Sequence, residues 1–206
     1  MFAMNLAKKD RAARYAARRA LIINAACELF HTQGIRGTLV SDIARRCHIS
    51  VGQVYRCFHN KDEIVCKIIH SFFQLQINRL VTEDMNLKTE AQALAGTQTA
   101  NTVFWQQGNT LLLEIYTEAT RNEKIATILY EASRRLMQKR LARLRKYNPG
   151  MSECRLKALA EVMSVLQEGA FLRFQHRNID KTEGEILSEI YSDIFRCIFT
   201  SETKKS

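Results

Sequence analysis

A single proline, Pro149, interrupts the 206 residues, and glycine occurs only eight times. Average usage would give roughly 10 prolines and 14 glycines in a chain of this length. So few breakers favour long helices over a turn-rich β fold. The apolar content of 46% is enough to build a core in one or two small domains. The predicted class is therefore all-α.

Apolar periodicity supports that reading and divides the chain. Residues 11–31 carry one helical stripe, running from Ala12, Ala13, Ala16 and Ala17 to Leu21, Ile22, Ala25, Ala26, Leu29 and Phe30. Its alanine-rich half also holds Arg11, Arg14, Arg18 and Arg19, while its larger residues face a core. Gly34 is expected to end this helix in a left-handed conformation. Thr38 reads as the N-cap of a short helix reaching about Cys47 and burying Val40, Ile43 and Ala44. Ser50 caps a second, very short helix over residues 51–58. Asn60 with Glu63 forms a capping box at the start of a long helix striped by Ile64, Val65, Ile68, Ile69, Phe72, Phe73 and Leu80. Residues 82–109 are polar and weakly periodic, and suit a helix plus a loop. Apolar helices follow near 110–120, 123–147, 152–176 and 182–200, with Asn148-Pro149-Gly150 as a sharp break between the middle two.

The net charge is +10, and it is uneven. Residues 1–60 hold ten Lys or Arg against three Asp or Glu, a net of +7. Such a segment attracts nucleic acid or an anionic surface, or merely aids solubility; charge alone does not choose. The six cysteines, at 27, 47, 57, 66, 154 and 197, form no C-x-x-C pair. There is no secretory h-region and no apolar run of 18 residues. The expectation is a cytoplasmic protein with reduced, mostly buried thiols and no membrane partner. Cys47, His48, Cys57, His59 and Cys66 match no standard zinc spacing, so no metal or cofactor is expected.

Two short helices joined by a three- or four-residue turn bury little area. Their recurrent use is to present one helix to the DNA major groove. In the second, Gly52 permits close backbone approach, and Ser50 with the helix's orphan N–H groups suits a phosphate. Val51, Gln53 and Arg56 can point outward while Val54 and Phe58 turn inward. Gln pairs with adenine and Arg bidentately with guanine.

Residues 22–64 resemble the DNA-binding domain of the TetR family of bacterial regulators. The resemblance is carried by Ile22, Ala25-Ala26, Leu29-Phe30, Gly34, Thr38, Val40, Ile43-Ala44, Ile49-Ser50, Gly52, Val54-Tyr55, Phe58, Lys61 and Asp62. It covers about a fifth of the chain. It implies that Tyr55 and Lys61 contact phosphates, that Thr38 touches the DNA backbone, and that Val51, Gln53 and Arg56 read or approach base edges. The turn here reads Cys47-His48-Ile49-Ser50, where the family has Ala-Gly-Val-Ser, so His48 stands where glycine takes a left-handed conformation. The expected DNA-binding set is Thr38, Ser50, Val51, Gly52, Gln53, Tyr55, Arg56, His59 and Lys61, with Arg18 and Arg19 from a basic N-terminal arm that includes Lys8, Lys9, Arg11 and Arg14. By analogy with other basic arms, its partner would be the minor groove or phosphates.

The expected organisation is a basic arm and three-helix helix-turn-helix head over residues 1–65, and a helical ligand-sensing and dimerisation domain over 66–206. The resemblance implies that the last two helices form a four-helix bundle with their copies in a second subunit. The candidate homodimer face is Leu159, Met163, Leu166, Ala170 and Phe174, preceded by Leu156, with Leu187, Ile190, Tyr191, Ile194 and Ile198. Candidate walls of an inducer pocket are Phe104, Trp105, Leu112, Tyr116, Met137, Met163 and Phe171, each of which also suits a plain core. Seven cations between Arg134 and Lys146 cannot share one helical face. Most must be solvated, and one or two turned inward could meet an anionic inducer.

The resulting expectation is a sequence-specific transcription regulator binding a near-palindromic double-stranded operator, most simply a repressor released by a small-molecule inducer. A ligand-responsive activator with the same head, or a basic non-specific nucleic-acid binder, are the alternatives. No catalytic constellation is visible. Glu114 and Glu118, at i and i+4, have no histidine near them and read as surface charges.

Overall fold

The structure, a computed structural model, describes residues 2–82, 84–96, 102–174 and 179–200. Side-chain surroundings are described for all of these except 2–9, 102–110, 171, 174 and 200. The elements are α1 (Phe2–Gly37), α2 (Val40–Arg46), α3 (Val51–Tyr55), α4 (Lys61–Thr82), α5 (Leu87–Ala95), α6 (Thr102–Ala119), α7 (Glu123–Tyr147), α8 (Glu153–Phe174) and α9 (Lys181–Thr200). Among the described residues no element is a strand. No described helix is long and apolar enough to cross a membrane.

The polar stretch after residue 82 resolves into α5 and the first part of α6. The side chain of Asn86 caps α5 by accepting from the N–H groups of Lys88 and Thr89 at 3.0 and 3.3 Å. Gly96 ends α5 in the left-handed conformation, with φ 73° and ψ 16°. The helix expected near residue 110 thus begins earlier, at Thr102.

The chain forms two compact units, Met1–Phe72 with Leu111–Tyr130, and Phe73–Thr110 with Glu131–Ser206. In the first, Ile22, Ala26, Phe30, Ile43, Val54, Phe58, Ile64 and Ile69 are fully buried or nearly so. They come from α1, α2, α3, the turn after α3, and α4, so each short helix is fixed by a large side chain inserted into a shared core. The later segment of this unit adds Leu111, Leu112, Ile115, Ile125 and Leu129.

Gly34 bends the end of α1 with φ 74° and ψ 161°. This is the extended positive-φ region open almost solely to glycine, rather than the left-handed helical region expected. The bend leaves the Ile35 N–H without a helical acceptor. Glu114 of α6 supplies one, accepting at 2.8 Å. One turn along α6, Glu118 pairs with Arg36 at 3.1 Å. The two glutamates expected to be surface charges are therefore clamps on the end of α1.

In the second unit, α5 packs on α9 and α8. Its core joins Ala91 and Leu94 of α5, Leu144 of α7, Leu156, Leu159, Ala160 and Met163 of α8, and Phe195 of α9. Arg140 of α7 is buried and donates to Ser164 Oγ and Gln167 Oε1 of α8. Arg143 pairs with Glu90 of α5 at 2.9 Å, and Gln167 Nε2 donates to the other Glu90 oxygen at 3.2 Å. Burial lowers the Arg140 pKa and Arg143 adds to the shift, although Glu90, Glu168 and Glu161 oppose it.

Candidate nucleic-acid interface

The turn between α2 and α3 fixes the angle at which α3 leaves the head. His48 has φ 54°, the one positive φ at a non-glycine among the described residues. Its N–H donates to Arg45 O at 3.1 Å, and the Ile49 N–H donates to Ala44 O at 3.0 Å. These nested bonds are a Schellman closure, with His48 in the place glycine usually takes. The geometry the family turn requires is thus made without glycine.

Ser50 then caps α3. Its Oγ accepts from the Gln53 N–H at 3.3 Å, while Gln53 Oε1 accepts from the Ser50 N–H at 3.4 Å. This reciprocal box ties up the side-chain carbonyl of Gln53, which is half-buried and is not the outward-pointing base reader expected. Val54 inserts into the core and leaves Val51, Gly52, Tyr55 and Arg56 exposed, with Tyr55 at 51%. An apolar side chain, an uncovered backbone, a phenol and a guanidinium lie along one short helix. That combination can contact thymine methyls, phosphates and guanine edges.

Three expected contacts lie elsewhere. Thr38 is fully buried, and its hydroxyl donates to Gly34 O at 2.8 Å. The N-cap of α2 is Leu39, whose N–H is held by Asp42 Oδ2 at 2.9 Å. Thr38 therefore neither caps α2 nor presents a hydroxyl to a ligand; it closes the bend at Gly34. The Lys61 ammonium donates to Ile35 O at 2.6 Å and Thr38 O at 3.0 Å. It satisfies carbonyls left open at the end of α1. Arg19, expected in the basic arm, instead folds onto the corner between α3 and α4. It donates to Cys57 O, lies 4.0 Å from the Phe58 ring centroid, and pairs with Glu63 at 3.5 Å.

His59 is highly exposed, and both its backbone N–H and its ring engage Glu63, at 2.7 and 2.9 Å. These contacts hold the Glu63 carboxyl below its ordinary range. Asn60 Oδ1 caps α4 through the Glu63 N–H at 2.9 Å, as expected. Arg18 is exposed on α1, as are Arg11 and Arg14. The side chains of Lys8 and Lys9 lie outside the described residues. Cys47 and Cys57 are buried in the core of the head. Among the described residues no three His, Cys, Asp or Glu side chains converge as a metal site.

The model of the family described as "Bacterial regulatory proteins, tetR family" matches residues 22–67. Those residues contain the bend, the turn and the exposed α3. Residues 22–67 match the head that this family model describes.

Solved structures extend the likeness to the whole fold. A TetR-family transcriptional regulator from Cytophaga hutchinsonii superposes with a TM-score of 0.66 at 17% identity, covering 91% of this chain and 97% of its own. The regulator FadR from Bacillus subtilis, in complex with stearoyl-CoA, gives 0.64 at 15%, covering 88% and 97%. A protein described as a transcriptional regulator from Saccharomonospora viridis, in complex with choline, gives 0.65 at 19%, covering 88% and 96%. A comparison with curated proteins returned no match. The chain has the TetR-type fold, a helix-turn-helix head followed by a helical C-terminal region.

The TetR-type C-terminal region distributes the other expected residues unevenly. Met163 belongs to the core of the second unit, and Met137 packs against it. Leu112 is buried in the first unit, and Tyr116 is exposed on the same helix. Phe104, Trp105 and Phe171 have side chains outside the described residues. On α8, Leu156, Leu159 and Met163 face the subunit's own core, and Leu166 and Ala170 pack against it. The outward row is instead the exposed Ala158, Val162, Val165 and Leu172 with the half-buried Gly169, at the 4-3-4-3 spacing of a helix-packing seam. On α9, Ile190 and Ile194 are exposed together with Ile186. Leu187 is half-buried, and Tyr191 and Ile198 pack against the core. Phe174 lies outside the described side chains. The α8 sequence is apolar on two sides, and the pattern alone did not say which side the subunit keeps.

Proposed function

We propose that this TetR-type protein is a sequence-specific transcription regulator in which α3 reads the major groove. The observation that carries the reading is α3 itself. Its core side is consumed by Val54, while Val51, Gly52, Tyr55 and Arg56 are left uncovered on a helix fixed by a Schellman turn and a capping box. A five-residue helix with three of its positions and its C-cap uncovered contributes little to its own core, and such an element recurs where a base edge is read. Arg56 has the chemistry to specify guanine, and Tyr55 to grip a phosphate.

The protein acts as a homodimer on a near-palindromic site, and a small molecule releases it, so that it represses. The rows Val162, Val165 and Leu172 on α8 and Ile186, Ile190 and Ile194 on α9 support a second copy as their cover. Large apolar side chains at 38% exposure or more, aligned on two helices, are costly to leave in water. Two helices from each subunit make a self-complementary four-helix interface under two-fold symmetry. Stearoyl-CoA and choline, each bound by a structural relative, support a small-molecule effector in the C-terminal region. Effector binding would act by favouring a state in which the two heads no longer match the half-site spacing.

The test is selection of bound sequences from a randomised duplex library, followed by titration of the selected duplex against scrambled DNA near physiological salt. A preference of about a thousandfold or more supports the reading. Equal and steeply salt-dependent binding to both duplexes would reduce the protein to a non-specific nucleic-acid binder. Sedimentation of Val165→Glu with Ile190→Glu should give a monomer. A dimer unaffected by both changes would place the interface elsewhere.

A further inference from the structure

The six thiols do not share one environment. Cys47 and Cys57 are buried and Cys27 and Cys66 half-buried, whereas Cys154 and Cys197 are exposed. Burial pushes the Cys27 thiol up to about 11 and raises those of Cys47 and Cys66, which keeps them protonated and unreactive. The two exposed thiols lie at one end of the second unit. Cys154 is in the first turn of α8 and Cys197 in the last turn of α9, and the neighbouring Arg155 donates to Ile198 O at 2.6 Å.

Both thiols also extend the outward rows of their helices. At roughly 100° per residue, Cys154 shares an arc of about 80° with Ala158, Val162, Val165, Gly169 and Leu172, and Cys197 shares a similar arc with Ile186, Ile190 and Ile194. The opposite sides of α8 and α9 both pack on α5, so the two rows face the same way. The α8 row is mostly small side chains, and the α9 row is isoleucine. A two-fold axis across the helices would set α8 on α8 and α9 on α9, small on small and large on large. An axis along the helices sets α8 of one copy on α9 of the other, so that large meets small along the seam.

The axial levels agree with the second arrangement. Arg155 stands beside Ile198, and residues 175–180 alone separate α8 from α9, too short a connection for anything but antiparallel helices. Counting back along α9 from that contact brings Ile194 to the level of Leu159, beside Ala158. Ile190 comes beside Val162, and Ile186 between Val165 and Gly169. An axis along the helices keeps these levels. The same count puts Cys197 level with Leu156, about 3 Å of helix rise from Cys154. Facing helices about 8–10 Å apart then bring the two Cα atoms to about 5–6 Å, inside the range of about 4.4–6.8 Å that a disulfide requires. Within one subunit the two cysteines point outward from neighbouring helices, roughly 8–10 Å apart, which is too far.

We propose that Cys154 of one subunit and Cys197 of its copy form a disulfide, twice per dimer, which locks the subunits together under oxidising conditions. This rests on the homodimer reading above and adds to it a redox-sensitive link. The oxidant is a low-molecular-weight disulfide of the glutathione disulfide class. One cysteine thiolate attacks a sulfur of the oxidant and releases one small thiol. The other cysteine attacks the resulting mixed disulfide and releases the second. Each link therefore oxidises two protein thiols and reduces one small disulfide to two thiols, which take up the two protons the cysteines give up. A linked dimer does not dissociate on dilution, so its stability no longer depends on protein concentration.

The test treats the full chain with glutathione disulfide, reads covalent dimer on non-reducing gels and identifies the linked peptides by mass spectrometry. Wild type should give a dimer that carries the Cys154–Cys197 link and is lost on reduction, and C154S and C197S should each lose it. The deciding sample is a heterodimer of C154S with C197S, its two chains told apart by tags. It keeps one Cys154–Cys197 pair across the interface and none within a chain, so it should still link. A heterodimer that does not link, a link confined to one chain, a symmetric link between like cysteines, or glutathione adducts alone would each overturn the proposal. Sedimentation of the reduced protein tells this failure from that of the homodimer reading. A reduced wild type that is monomeric, or a dimer that survives Val165→Glu with Ile190→Glu, removes the interface itself.

Discussion

Replacing Gly34 with alanine tests the bend that ends α1 by two routes at once. The backbone there, φ 74° and ψ 161°, lies where a Cβ is strongly disfavoured, and forcing alanine into it costs about 1–3 kcal/mol. The new Cβ would also stand 2.9 Å from Glu114 Oε1. That carboxylate can swing away, but only by releasing the Ile35 N–H it holds at 2.8 Å. Ile35 is 2% exposed, so an unsatisfied N–H there costs about a further 1–3 kcal/mol. The sum expected for G34A is about 3–4 kcal/mol, read from equilibrium urea unfolding at fixed protein concentration. Because part of that loss passes through Glu114, the cost of G34A should shrink by about 1 kcal/mol in an E114A background. A cost below about 1 kcal/mol would show that the bend relaxes to an ordinary conformation. Strict additivity of the two changes would refute the clamp.

Three further changes address the same head. H48G should stabilise the protein by about 0.5–1 kcal/mol, because glycine takes the left-handed place in the turn without the Cβ penalty; a loss of stability would mean the imidazole does something the turn geometry does not reveal. K61M should lower stability by about 2 kcal/mol, since it leaves Ile35 O and Thr38 O without their charged donor, and should leave the salt slope of DNA binding unchanged. A slope reduced by about one per head, with stability intact, would return Lys61 to the phosphate role. Glu63 has a folded pKa below the ordinary glutamate value, chiefly through the His59 backbone N–H. Its stabilising contribution is thus present above that value and lost as pH falls through the folded pKa. E63Q should flatten the acid limb of the stability profile between wild type and variant, and parallel curves down to pH 3 would contradict the assignment.

The sequence exposed the helices where one side of the pattern was large and apolar. The bounds of α7 matched the stripe that was read, those of α8 and α9 came within a residue or two of it, and the Pro149 break fell between α7 and α8. It was weakest at α5, read only as the helix of a helix-plus-loop stretch, whose buried positions are Ala91, Leu94 and Ala95. Two of those three are small, so the stripe is faint even though the helix is central to its unit. Residues that act within four positions of their partners, such as Ser50 with Gln53 and Asn60 with Glu63, were visible as caps. Those whose partners lie far along the chain were not. Glu114 is 79 residues from Ile35, Lys61 is 26 from Ile35, and Arg143 is 53 from Glu90. No local spacing reports such pairs, and a basic residue in a DNA-binding motif then looks like a DNA contact whether or not a carbonyl already holds it.

This distinction changes the expected strength of the electrostatic grip. Residues 1–60 hold ten basic side chains, and a count by composition would assign all of them to DNA. Arg19 is held by Glu63 and the Cys57 carbonyl, and Arg36 by Glu118, whose own side chain is only 12% exposed. Withdrawing either arginine would leave a partly buried carboxylate behind, so neither is available to a phosphate at small cost. Arg45 and Arg46 are themselves largely exposed where they pair with Asp42 and Glu28, unlike Arg19, and the ion pair of an exposed arginine is worth about 0–1 kcal/mol, so a phosphate competes readily. Arg11, Arg14, Arg18 and Arg56 are exposed. Four to six arginines per head are therefore expected to release counterions. For a dimer that corresponds to a salt slope of about −7 to −11. A slope near −2 would leave room for only Arg56 of each head and would argue against any contribution from Arg11, Arg14 and Arg18. A slope much steeper than −11 would require Lys8 and Lys9 to join the contact, or Arg19 and Arg36 to let go of their carboxylates when DNA binds, and the stability of the E63Q and Glu118→Gln variants in complex with DNA separates the two.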